Sequence, residues 1–578
     1  MIPCGIYILK LSKILIYNIL NTRTSMLFLS RINKIDVLIC LLAIYLCVFC
    51  DIHTCVDNNL DYNPLILGLM TYTAARLIQV LVPKYCDYFF LSVLFVILVL
   101  EIKKGCFQIL HSKEALSFCL TGSFIQSGLY GGFISVLICV FCGFLLSDKS
   151  VFHKYIFGGN ESIKKKIVSQ IIQYVLIIIG IVTLFLIFCT QSRTSILALV
   201  CSLSILSFKN DKFLSLVKKH RLKILLFLIT FGAVAYFYKK PSADGRFLMN
   251  RVSLLALTTN NWNGVGGGHF GGAYGEAQAS LFAEMMSRGD GEMDWRVINE
   301  GIRLTADCPT KAFNEYLNVG VEYGIIAMLL LMGIIITAIV QSFKNDNAWC
   351  FGLIVFSVFA FFSYPLHSTQ FQLLFPFLLA TCGWDRVKVN NIYTILFCVF
   401  ILSFTVCMNK KQGNKIEDSV SVEWTRANYW YNIEEYENVV ECCDTLLPYM
   451  SQDYRFLFIY GQSLNKTGNY EKSDSVLKIG CKISSDPMFW NVMGNNSLAV
   501  GNYREAEECY KHAFCMVPNR LYPLYLLAKL YYTEDNTVDF LKMAEEVESF
   551  VPKVESVNTE SLRMEIRELK SEYLKLTR

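Results

Sequence analysis

Long uncharged apolar runs recur along this chain from about residue 37 to residue 408, and no other feature of the sequence constrains its fold as tightly. A helix needs about 20 apolar residues, or a few fewer, to cross a bilayer. Runs of that kind lie near 37–52, 64–82, 88–100, 128–147, 167–189, 194–208 and 223–238, and again near 319–341, 349–364, 368–383 and 392–408. The stretch near 102–120 carries Lys103, Lys104, His111 and Glu114, which suits an amphipathic or re-entrant segment better than a span. Composition agrees, since 54% of the 578 residues are hydrophobic and 17% charged, where soluble domains hold about 45–50% and about 25%. With 42 Phe and 31 Tyr, a disordered polymer is excluded as well. The expectation is an all-α, polytopic membrane protein with about eleven transmembrane helices.

Lys and Arg in short loops favour the cytoplasmic side. Lys10, Lys13, Arg23, Arg31 and Lys34 surround the chain's entry, whereas the loop 51–63 has neither. Residues 1–34 therefore read as an amphipathic cytoplasmic lead-in, because Lys10 and Lys13 interrupt the apolar run a cleaved signal would need. Lys149, Lys154 and Lys164 to Lys166 fall on the same side, as do the cations between Lys209 and Lys223. That parity puts loop 239–315 of the membrane domain 35–408, and all of 409–578, outside the cytoplasm. The net charge of +5 supplies no basic field for nucleic acid. Most of the 22 cysteines sit in apolar runs without a His or Cys partner pair, so they read as small buried hydrophobes and no metal or cofactor is assigned.

From about residue 417 the chain turns charged, aromatic and helical, and a repeat appears. Tyr436, Tyr470 and Tyr503 are 34 and then 33 residues apart, Tyr460-Gly461 is matched by Met493-Gly494, and Pro487 and Pro518 close successive units. This is the tetratricopeptide period, and it predicts an α-solenoid over 409–578, ending in a helix near 555–577. Its concave face would offer a protein partner a binding surface; the alternative is that it only spaces or stabilises the membrane domain.

Polar clusters gather at the expected outer surface. Gln191-Ser192-Arg193-Thr194 holds an arginine in a tight turn between two runs, as a ligand contact or a headgroup anchor. In the large loop, Gly245-Arg246 and Asn250-Arg251 precede the glycine run Gly264-Val265-Gly266-Gly267-Gly268-His269. Glycines let backbone N–H groups approach an anion and arginines donate two hydrogen bonds to a phosphate, so a diphosphate would suit this loop. Asn314, Glu315 and Glu322, at the mouth of the eighth run, are placed to orient or deprotonate a sugar hydroxyl, although a helix cap would use the same residues. Arg76 lies within an apolar run, where an arginine costs about 2.5–3.5 kcal/mol, and is expected to line a substrate cavity or pair with another buried polar group.

These motifs in this order resemble the O-antigen ligase and polymerase superfamily: Ser192-Arg193-Thr194, Gly245-Arg246, the Gly264-Val265-Gly266 run ending in Phe270, and Phe313-Asn314-Glu315-Tyr316-Leu317 followed by Glu322-Tyr323-Gly324. Thr121-Gly122-Ser123-Phe124 and Phe362-Ser363-Tyr364-Pro365 are similar to motifs of its Bacteroidetes-type members with tetratricopeptide tails. The resemblance implies a metal-independent glycosyltransferase of the bacterial inner membrane. It would take a glycan from an undecaprenyl diphosphate carrier to an acceptor hydroxyl such as a lipid A core sugar, among membrane lipids, with its large loop and C-terminal domain in the periplasm. Arg193, Arg246 and Arg251 would then hold the diphosphate, and Gly264 and Gly266 would shape the pocket, with Arg76 and Glu322 contacting substrate. Ligases of the best-known branch carry a histidine where this chain has Phe313. The base is therefore sought among Glu315 and His269 first, beside Asn314, and then Glu322 and His367. A polymerase joining repeat units on the carrier is the near alternative, and a transporter of lipid-linked glycan a more distant one.

Overall fold

The computed structural model describes residues 33–576 except 50–54, 113–114, 147–162, most of 208–239, 288–293, 384–393, 404–417 and a few isolated positions. The lead-in before residue 33, the run near 223–238 and the basic loops near 149–154 and 209–223 lie largely outside the described residues. Of the run near 392–408, short helical pieces are described.

The described chain is helical, apart from a small antiparallel hairpin pairing Cys55–Asp57 with Leu60–Tyr62. In chain order the membrane-like helices are α1 (Lys34–Phe49), α2 (Pro64–Leu81), α3 (Cys86–His111), the single turn α4 (Leu116–Cys119), α5 (Ser127–Leu146), α6 (Ile163–Cys189) and α7 (Arg193–Ser207). The polar stretch that follows folds as α8 (Lys240–Thr259), α9 (Phe270–Met286) and α10 (Glu300–Thr305). Then come α11 (Glu315–Lys344), α12 (Cys350–Phe361) and α13 (Thr369–Cys382). The C-terminal part is α14 (Asp418–Asn432), α15 (Tyr436–Met450), α16 (Tyr454–Lys466), α17 (Tyr470–Cys481), α18 (Met488–Ala499), α19 (Tyr503–Met516), α20 (Tyr522–Thr533), α21 (Thr537–Ser549) and α22 (Val557–Leu576). Among the described residues, Pro64–Leu81, Ser127–Leu145 and Glu315–Lys344 are long and apolar enough to cross a membrane, and α7, α12, α13 and the described part of α6 are shorter apolar helices. The stretch near 102–120 is not a separate helix from its start. Helix α3 runs on through Lys103 and Lys104 to His111, because Glu101 and Gln108 find partners in the following loop rather than in lipid.

The chain divides into two compact units. The first comprises residues 1–48, 54–228 and 329–413. Within it α2 packs on α13, and α5 packs on α7 and α12. Small residues set these approaches: a Cβ at Gly132 would meet the Phe359 ring, and one at Gly352 would meet Val140. Where no hydrophobic effect drives helices together, such close contact supplies the dispersion energy. Phe371 lies at the centre of this packing, touching Phe124, Phe133, Phe356 and Phe359.

The second unit comprises residues 49–53, 229–328 and 414–578, so the loop between the two sets of apolar runs packs with the C-terminal helices. Those helices form successive hairpins, each helix stacked on the next. The turn inside each hairpin places a residue in the left-handed region, at Glu434, Gly468, Gly501 and Asp535 in turn. The small buried residue of each first helix recurs in the same register as Ala427, Gly461, Gly494 and Ala528. At Gly461 a Cβ would meet Leu477, and at Gly494 the Tyr510 ring, so each small residue seats a large one from the second helix of its hairpin.

Candidate functional site

In the second unit the glycine run is held against a break in α11. Gly324 interrupts that helix with φ 87° and ψ 165°, and a Cβ there would strike the carbonyl of Trp262. The run answers with left-handed backbone at Gly264, Gly266 and Gly268. Val265 N–H donates to Val321 O at 3.0 Å, Gly266 N–H to Glu322 O at 2.9 Å and Gly268 N–H to the Glu322 carboxylate at 3.1 Å. Two amides that the sequence reading turns toward a ligand anion are thus engaged by Glu322 itself. Glu322 is 6% exposed, and its observed contact is a latch on the glycine loop. The loop ends at His269, which precedes α9 and lies with Nδ1 3.0 Å from the Gly267 carbonyl. If Nδ1 carries the proton of that bond, Nε2 is the basic nitrogen of the ring.

Around the start of α11, Asn314 accepts from Tyr316 N–H at 3.1 Å and Leu317 N–H at 3.2 Å, which is the capping role its position also allows. Asn318 accepts from Ala312 N–H at 3.0 Å and closes the corner. Glu315 is buried in the first helical turn, at 2% exposure. Phe313 stacks under the Arg246 guanidinium, which lies 5.0 Å from its ring centroid, and its N–H points at Met249 Sδ. Helix α8 thereby brings Arg246 onto Phe313, the residue that precedes Asn314 and Glu315 in the chain. Arg251 is exposed on the same helix, and next to it Asn250 Oδ1 is buried without a hydrogen-bond partner among the described residues.

The rest of the loop is tied to the C-terminal helices. A glycine face on α9, Gly271, Gly272 and Gly275, meets the backbone of Cys481 to Ser485, so closely that a Cβ on Gly272 would overlap the Lys482 carbonyl. Gln278, 1% exposed, accepts from Tyr274 Oη at 2.8 Å and donates to Asp307 O at 3.0 Å and to Met516 O. Burial pushes the Tyr274 phenol up, with Asp307 and Cys308 adding to it, so it serves as a donor. Arg303 donates to Pro518 O at 3.1 Å and Val551 O at 2.7 Å between the rings of Trp295 and Phe550. Asn519 returns bonds to Arg303 O and Ala306 O at 3.1 and 2.8 Å. Sequence reasoning missed Arg303 and Asn519, because neither sits in a motif or a periodic pattern.

In the first unit, three of the quoted motifs meet. The Ser123 N–H and hydroxyl donate to the buried Glu101 carboxylate, and Gln108 accepts from Thr121 N–H at 3.1 Å and Gly122 N–H at 2.7 Å. Gln370 donates to Ser123 O at 3.0 Å, and Tyr364 Oη to Gln126 at 2.6 Å, joining the 121–124 and 362–365 motifs. Ser195 Oγ lies 3.3 Å from Gly128 O and 2.7 Å from Ser192 Oγ, which brings the turn bearing Arg193 to the start of α5. Glu101, Gln108, Gln126 and Gln370 were not legible as partners, since their spacing follows no motif.

Arg76 also belongs to the first unit. It is 1% exposed, pairs with Asp36 at 2.7 Å and reaches Ala380 O at 3.4 Å, with Tyr72 and Gln79 in the same network. Of the two expectations for Arg76, the contacts are those of structural pairing rather than of a cavity wall.

No curated protein matches the chain. Residues 175–332 match the family model described as O-Antigen ligase, a span that contains Arg193, α8, the glycine run and the start of α11, and the match supports the superfamily resemblance of the motifs.

Proposed function

We propose that the chain is a ligase of the bacterial inner membrane that moves a glycan from an undecaprenyl diphosphate carrier to an acceptor hydroxyl, such as that of a lipid A core sugar. Two observations inside the segment matched to the family carry this reading: Arg246 seated on Phe313, and the glycine run latched by Glu322. In the reaction the acceptor oxygen attacks the anomeric carbon, the bond from that carbon to the diphosphate oxygen breaks, and the diphosphate leaves with the electron pair. Arg246 and Arg251 stabilise the charge that develops on it, an electrostatic role worth several kcal/mol where water is excluded, about 2.7–4 kcal/mol per donor. A base removes the acceptor proton. His269 and Glu315 are the candidates, one held through its Gly267 contact and the other buried in the first turn of α11.

On this reading the large loop and the C-terminal domain are periplasmic, and the hairpins at 418–576 are a tetratricopeptide solenoid. Its surface around Cys481–Ser485, Met516 and Pro518 is taken up by the chain's own loop, so a protein partner would dock on other hairpins.

The test is a glycan profile of a deletion strain complemented with wild type, Arg246→Ala or Arg251→Ala, separating lipid A-linked, carrier-linked and protein-linked glycan. Accumulation of full-length polymer on the carrier, with bare acceptors, is expected. Acceptors bearing one repeat unit would make the chain a polymerase instead, and wild-type behaviour of both variants would remove the arginines from the site.

A further inference from the structure

Helix α8 carries two opposed apolar faces. Leu248, Val252 and Ala256 pack into the core of the second unit. At about 100° per residue, Phe247, Arg251, Leu254 and Thr258 form a stripe about 60° wide on the other side. Phe247 is 77% exposed and Leu254 53%. A helix with only water beyond it presents polar residues on its outer face, so two large apolar side chains flanking an arginine need a different neighbour.

The chain around α8 indicates which. Just before Lys240 lies the apolar run 223–238, with Phe237 exposed, and the segment that begins at α8 ends by entering α11, a helix of membrane-crossing length. With 223–238 read as a span from its sequence, both ends of the segment are tethered at the depth where spans leave the bilayer. Trp262, 54% exposed and just beyond α8, is of the type that gathers at that depth.

We propose that α8 lies in the membrane interface, with Phe247 and Leu254 in the boundary of the acyl chains and Arg251 among the phospholipid phosphates. Interfacial helices bind in this manner, apolar face down and cations at the headgroups. The inference goes beyond the proposed reaction and does not depend on it. It has a consequence for that reaction, because a lipid-linked diphosphate lies at the same depth as the headgroup phosphates that Arg251 would contact.

The experiment reads lipid contact directly and needs no glycan transfer. The photo-crosslinking residue p-benzoylphenylalanine is placed at Phe247, at Leu254 or at Val500, which is 64% exposed on a C-terminal hairpin. The full chain is reconstituted in nanodiscs of phosphatidylethanolamine and phosphatidylglycerol, irradiated and weighed. The expected result is a phospholipid adduct at positions 247 and 254 several-fold above that at 500. Adducts only to protein at 247 and 254, from this chain or a second copy, would overturn the proposal, and so would lipid adducts no more frequent than at position 500.

Discussion

Arg76 and Asp36 form an ion pair with 1% and 4% side-chain exposure, and each depends on the other. Removing one partner of a buried pair leaves an uncompensated charge, a cost of about 3–5 kcal/mol, whereas replacing both with apolar residues is often neutral. Asp36→Ala is therefore expected to lower the thermal midpoint of the detergent-solubilised protein sharply, and Asp36→Leu combined with Arg76→Met to recover most of it. The arginine was legible in the sequence because a cation in an apolar run is conspicuous, but its partner was not, because the two lie on different helices. Glu322 makes a second point at this scale. As a latch it needs only an acceptor oxygen, so Glu322→Gln should keep the Gly268 bond and near-normal glycan attachment, while Glu322→Leu should lose both. Loss of transfer in a folded Glu322→Gln protein would show a role in the chemistry. Gly324→Ala should be destabilising by more than about 1 kcal/mol, since its φ of 87° suits glycine and a Cβ meets Trp262 O.

At the scale of elements, α9 is the seam between the loop and the C-terminal hairpins. Its glycines carried no role in the sequence reading; in the structure Gly271, Gly272 and Gly275 give way to the backbone of another element. Gly272→Val cannot be accommodated against Lys482 O and should unseat the helix, seen as lost hydrogen-exchange protection over 270–286 and 481–485 with less surface glycan. The same seam carries a pH response. Burial raises the Asp307 carboxyl, but hydrogen bonds from Cys308 N–H and Lys553, with the charges of Lys553 and Arg520, leave it below its ordinary value. A depressed carboxylate stabilises the folded form above its unfolded pKa of about 3.9 and loses that contribution as pH falls through the lower folded value. Protection of 300–309 should therefore weaken below about pH 4, and Asp307→Asn should flatten the dependence.

At the scale of the whole molecule, the chain returns to its own middle. Arg303, Gln278 and Asn519 join residues more than two hundred positions apart, so the loop that carries Arg246, the glycine run and His269 is folded together with the hairpins at 418–576. Deleting residues 414–578 is thus expected to abolish glycan attachment while leaving the membrane helices inserted, as measured by protease-protected fragments in membranes. Attachment that survives the deletion would show that the hairpins serve only as a spacer. Hydrophobic period and spacing sufficed for the helical membrane class and the recurrence of the C-terminal hairpins, because these are local patterns repeated along the chain, and the ordered motifs around the loop sufficed for its resemblance to the family. Which side chains meet was decided only by tertiary structure: Asp36 with Arg76, Glu322 with the glycine loop, Glu101 with Ser123, and α9 with Cys481–Ser485. Such contacts bring together positions far apart in sequence, and the burial that gives them their energy exists only once the helices have packed.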